Sequence, residues 1–93
     1  MVADKKISCD LAIGQIVKSK AGRDKGDIFI VYDIIDENYV LVVDGKTRKI
    51  SKPKKKKLMH LQRYNTVIND FIKMKEEINF NDALVRSLLS EQK

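Results

Sequence analysis

Gly14-Gln15-Ile16-Val17-Lys18-Ser19-Lys20-Ala21-Gly22-Arg23-Asp24-Lys25-Gly26 decides the fold, because an apolar, β-forming run here turns between two glycines. It re-enters an apolar run at Ile28. Turn glycines adopt positive φ without steric cost, so two of them four residues apart favour a tight, charged loop. Such a loop offers Arg23, Lys25 and bare backbone amides to an anion.

Working outward, Ile16–Lys20 reads as a first strand. Ile28–Ile35 is β-branched and aromatic throughout and reads as a second. Asp36-Glu37-Asn38 is turn chemistry, and Tyr39–Val43 is a third strand. Asp44-Gly45 is a type I′ hairpin cue. It leads to Lys46–Ser51 as a fourth, polar edge strand. Pro53 has no N–H to donate and is expected to stop the ladder there. Lys54–Lys57 then reads as a charged loop, and Leu58–Gln62 as a short fifth strand closing a small barrel.

From Thr66 the apolar period changes. Val67, Phe71, Met74 and Ile78 recur at spacings of four, three and four, which places them on one helix face. Asn65 or Thr66 is the expected cap. A second helix follows, capped by Asn81 or Asp82, with Leu84, Val85, Leu88 and Leu89 as its stripe. The fold class is mainly β with a helical tail: a small five-stranded barrel followed by one or two C-terminal α-helices. The expected divisions are a tail over 1–11, a barrel over 12–63 and a helical segment over 64–93. The helices are expected to pack on each other or on the barrel; docking a protein partner is the second expectation.

The chain has 93 residues, enough for one modest core, and no tryptophan, so Ile, Val and Leu must build it. Its net charge is +6 and its pI about 9.5. The charge is concentrated. Lys46 to Arg63 holds nine basic residues and no acid, whereas residues 64–93 hold four basic and five acidic residues. Clustered basic residues on a chain of high pI are the electrostatic footprint of a nucleic-acid binder. Cys9 is the only cysteine. With the lone His60 it falls far short of a metal site, and a free thiol suits a reducing, cytoplasmic setting. His60 itself reads as a satisfied strand histidine. No cofactor is implied, and no nucleophile motif supports catalysis. Neither a signal peptide nor a membrane span is expected, and the free chain is expected to be a monomer.

The basic residues divide into groups. Lys18, Lys20, Arg23 and Lys25 flank or occupy the first loop, where Arg23 suits bidentate phosphate contact. Lys46 and Arg48 share one face of the expected fourth strand, where lysines also serve to protect an edge. Lys52, Lys54, Lys55, Lys56 and Lys57 repel one another, and a polyanion would relieve that repulsion. RNA or phosphate contact is the first expectation for this run, and a solvated loop or a nuclear-import signal is the alternative. Arg63 closes the set, with Tyr64 beside it as a candidate base-stacking ring. Tyr32 and Tyr39 sit in apolar strands, where core packing is the first expectation.

Gly14–Gly45 resembles the KOW motif, an RNA- and protein-binding β-loop-β element of several ribosomal proteins and NusG-type transcription factors. The resemblance rests on Gly14, the strand Ile16–Ser19, the loop Gly22-Arg23-Asp24-Lys25-Gly26 and the alternating strand ending near Val31. It departs from the pattern at Phe29, where the motif often has a second glycine. With the later Lys-Pro-Lys-Lys-Lys-Lys run and Leu58-Met59-His60-Leu61, the layout is similar to large-subunit ribosomal KOW proteins of archaea and eukaryotes, and to their small bacterial relatives. The resemblance implies an SH3-like barrel and ribosomal or structured RNA as the partner. The alternative is a transcription-associated module that binds RNA polymerase or an antitermination partner.

Overall fold

The computed structural model describes residues 11–92. The expectations for the N-terminal tail and for Cys9 fall outside these residues. Five strands form one antiparallel sheet: β1 (Gln15–Ser19), β2 (Ile28–Ile34), β3 (Tyr39–Val43), β4 (Lys54–Lys57) and β5 (Leu61–Val67). Their order across the sheet is β4-β3-β2-β1-β5. β4 and β5 therefore lie on opposite edges, yet only one 3-10 turn, Leu58–His60, joins them. Three residues span at most about 10 Å. The sheet must roll until its edges approach, which makes it a small SH3-like barrel. Two short helices follow, α1 (Phe71–Lys75) and α2 (Asp82–Ser90).

The apolar strands bury both faces, so they read as continuous apolar runs rather than strict alternations. Val17, Phe29, Val31, Val40, Val42 and Leu61 fill the barrel with Leu11. Their neighbours Ile16, Ile30 and Val43 point outward and are covered by Phe71, Val85 and Leu89. A bulge at Tyr32 shifts the β2–β3 register between Val31 and Asp33. The extra residue bends β2 and directs Tyr32 to the outer face, against Phe71 and Phe80. The helices thus cover the barrel, as the first expectation held.

Three elements differ from the sequence reading. Lys46–Ser51 is not a strand but an irregular loop. Asp44 carboxylate Oδ1 accepts from the backbone amides of Lys46 and Arg48, both at 2.8 Å, and so holds the segment in a turn instead of a ladder. Lys54–Lys57 is not a loop but β4, paired to β3 from Tyr39↔Lys57 to Val42↔Lys54. Pro53 precedes this edge strand instead of ending one, a position where its missing N–H costs nothing. β5 begins at Leu61 and runs on to Val67.

The helical segment also starts later than expected. Val67 ends a strand, and α1 follows Asp70, which has φ 61° and makes no side-chain cap. Phe71 is buried and Met74 packs beside it, but Ile78 is 99% exposed. α2 matches its signals. The Asn81 side chain accepts from the Leu84 amide at 2.9 Å, and Val85 and Leu89 are its buried residues.

α2 also grips the irregular loop. Its Asp82 carboxylate accepts from the Ile50 amide at 2.9 Å, and Arg86 Nη1 donates to the Gly45 carbonyl at 2.6 Å. Gly45 has φ 78°, and a Cβ there would lie 2.5 Å from the Asp82 carbonyl oxygen. Only glycine permits both the turn and this close approach of the helix.

Candidate nucleic-acid interface

The Gly22–Gly26 loop is built from backbone bonds. Ser19 and Gly26–Asp27 close its base, with Gly26 N–H donating to the Ser19 carbonyl and Ser19 N–H to the Asp27 carbonyl, both at 2.9 Å. Inside, Lys25 N–H donates to the Gly22 carbonyl and Asp27 N–H to the Asp24 carbonyl. Gly22 and Gly26 both have positive φ, 84° and 93°. Arg23 and Lys25 are exposed on either side of Asp24, and Lys20 is exposed just before the loop.

Asp24 turns the other way and organises the site. Its Oδ1 accepts from Lys56 Nζ at 2.9 Å and lies 2.8 Å from the Ser19 hydroxyl. That hydroxyl has one proton, and the Ala21 carbonyl at 2.9 Å competes for it. The second oxygen, Oδ2, is buried and accepts no hydrogen bond among the described residues. It faces the Lys54 ammonium at 3.9 Å. Burial pushes the Asp24 carboxyl up. Hydrogen bonds from Lys56 and Ser19, with the charges of Lys56 and Lys54, outweigh burial and hold it below the ordinary carboxylate value.

The first loop and the lysine strand, far apart in sequence, therefore meet at one carboxylate. This carboxylate also sorts the lysines. Lys54 and Lys56 lie on the Asp24 side of β4, and Lys56 is only 7% exposed. Lys56 reads from the sequence as one of the solvent-facing phosphate contacts. The structure corrects this: its ammonium is occupied inside the fold by Asp24. Lys55 and Lys57 are exposed on the other side of the pleat, with their ammoniums 4.6 and 5.9 Å from the Tyr39 ring centroid. Tyr39 is thus the partner of two lysines at the surface, whereas Tyr32 belongs to the packed outer face.

The remaining candidates are spread around these two groups. Lys18 is half-buried on β1, opposite Ile28 on one side and Gln62 on the other. Arg63 is exposed on β5. Lys46 and Lys52 are exposed and Arg48 half-buried on the irregular loop, so the shared strand face expected for Lys46 and Arg48 does not exist. His60 is exposed in the 3-10 turn, not on a strand, and its carbonyl accepts from the Lys20 amide at 2.8 Å. Sequence reasoning missed the Asp24–Lys56 pair. Among the described residues no group of three or more His, Cys, Asp or Glu could hold a metal ion. No helix there is long and apolar enough to cross a membrane.

Comparison with curated proteins fits the sequence resemblance. Over 59 residues the chain is 34% identical to the large ribosomal subunit protein eL14 of Staphylothermus marinus, covering 63% of this chain and 62% of that one. This chain is similar to large-subunit ribosomal proteins of archaea. The eL14 protein of Desulfurococcus amylolyticus is 40% identical over 52 residues, covering 56% of this chain and 54% of its own length. That of Pyrobaculum arsenaticum is 36% identical over 50 residues, covering 54% and 48%. The chain thus spans about half to three-fifths of the length of these eL14 relatives. No family model matches the chain.

Proposed function

We propose that this chain is a non-enzymatic RNA-binding module that associates with the ribosome and contacts ribosomal RNA in the cytoplasm. The observation that carries the reading is the convergence at Asp24. One half-buried carboxylate holds the Gly22–Gly26 loop against β4, and exposed cations stand on both elements. Phosphates reward such a surface, because each contact releases condensed counterions. Protein-only interfaces tend to deplete lysine instead.

Lys20, Arg23, Lys25 and Lys54 form the first group of proposed contacts, with Lys18 behind them. Lys55 and Lys57 form a second, and Lys46, Arg48, Lys52 and Arg63 extend the surface. Lys56 is the structural anchor. Phosphate contacts would fix register, and RNA shape would supply most of the specificity. The similarity to archaeal large-subunit proteins supports the ribosomal partner over a transcriptional one.

The test is crosslinking in cells followed by sequencing of the bound RNA, with sedimentation of the tagged protein in parallel. Ribosomal RNA fragments and comigration with ribosomal subunits are expected. Copurification with RNA polymerase, with no ribosomal RNA recovered, would overturn the reading in favour of a transcriptional partner.

A further inference from the structure

A groove of about 780 Å³ opens beside the loop, between Gly26–Ile28, the Lys46–Thr47 turn and the last turns of α2. Ile28, Tyr64 and Leu89 give it an apolar lining, and Thr47 and Ser90 add hydroxyls. Lys46 is exposed at its rim. Two acids also line this region or its mouth. Asp44 is buried and already accepts from two amides, and Asp27 is exposed beside Gly26. α2 forms one wall, held there by Arg86 on the Gly45 carbonyl and Asp82 on the Ile50 amide.

We propose that this groove takes one unpaired nucleotide of the bound RNA, with its base against Tyr64 and its phosphate at Lys46. This rests on the RNA-binding reading and adds a base-binding site to it. Three features support the assignment. The size suits a small ligand, since ligand clefts run from about 300 to 1,000 Å³. An aromatic ring beside a cation is the usual platform for an unstacked base, and tolerates any base because each has a π face. The groove is also continuous with the loop: Gly26 lines it, and a Cβ at Gly26 would meet nothing within 4 Å. A strand held by Arg23 and Lys25 can therefore continue into it along an open backbone. The C-terminal helix then has a second role besides covering the sheet. It completes the nucleotide site.

The experiment uses the full chain with two probes: a single-stranded decauridylate carrying 4-thiouridine, and an RNA duplex of the same length. Ser90→Trp fills the groove from the exposed end of α2, and Lys46→Gln removes the rim charge. Ser90→Trp is expected to weaken decauridylate binding about tenfold, the equivalent of one lost stacking contact, with duplex binding unchanged. Irradiation of the unmodified protein should crosslink the peptide that contains Tyr64. If Ser90→Trp does not fold, Lys46→Gln and the crosslink decide. Unchanged decauridylate affinity in a folded variant, with crosslinks confined to the Arg23 loop, would overturn the groove site and leave the phosphate surface standing. Absence of binding to either probe would instead remove the RNA-binding reading itself.

Discussion

Asp24 links stability to the basic surface through one side chain. Lys56→Gln leaves the half-buried Asp24 carboxylate without its charged donor, and is expected to destabilise the fold by about 1.5–3 kcal/mol. Lys55→Gln, whose ammonium is exposed over Tyr39, should cost less than about 1 kcal/mol. Denaturant melts of the two variants compare them directly. The same pair predicts a pH dependence. Asp24 has its pKa lowered from the ordinary 3.8, so its contribution is full above 3.8 and disappears as pH falls through the lower folded value. Asp24→Asn should therefore be less stable than the parent at neutral pH, and the gap should close as the pH drops below 3.8. A gap that persists unchanged into strong acid would mean that the carboxylate is not the anchor. Arg23→Ala is the complementary test. Arg23 is exposed at the loop, so stability should hold while RNA affinity falls by on the order of 1–3 kcal/mol, measured by filter binding at low salt.

At the scale of elements, α2 should prove indispensable to the sheet. Removing residues 81–93 uncovers Ile16, Ile30 and Val43, all fully buried, and discards Val85 and Leu89. Each such side chain contributes about 1.5–3 kcal/mol when buried, so the shortened protein should melt far lower or aggregate. Gly45→Ala should act in the same direction by pushing the helix away. Gly26→Ala has open space around it and should cost only the αL strain of about 1–2 kcal/mol. A shortened chain with an unchanged melt would show that the barrel does not need its cover.

The elements also show what could be read in the sequence. β1, β2, β3 and α2 were legible because their apolar residues and the Asn81 cap are local signals of the structure they form. The loop glycines were legible for the same reason. β4 was not, because four consecutive lysines carry no strand signal. They become a strand by pairing with β3, and Asp24 receives one of them. The Asp44-Gly45 hairpin cue failed because Asp44 spends its carboxylate on the amides of Lys46 and Arg48. The Val67–Ile78 spacing imitates a helix face, although Val67 closes a strand and Ile78 faces solvent. In each case a contact distant in sequence, or a side chain bonding its own backbone, overrode the local pattern. Most of the proposed contact residues were legible as charge. Which lysine is the anchor, and that Tyr64 and Lys46 line one groove, was not, since both depend on tertiary packing.

On the scale of the whole molecule, the barrel places two basic elements side by side and a helix closes a groove next to them. RNA binding by that surface depends on phosphate neutralisation. Its most direct test is the salt dependence of binding to single-stranded RNA across roughly 50 to 200 mM monovalent salt. With roughly five phosphates neutralised at ~0.7 per contact, log K against log salt should have a slope of about −3 to −4. Replacing Arg23, Lys25 and Lys54 by Gln should flatten it by about 2, while Lys56 remains to hold the fold. A slope near zero for the unmodified protein, or an unchanged slope for the folded triple variant, would contradict the account.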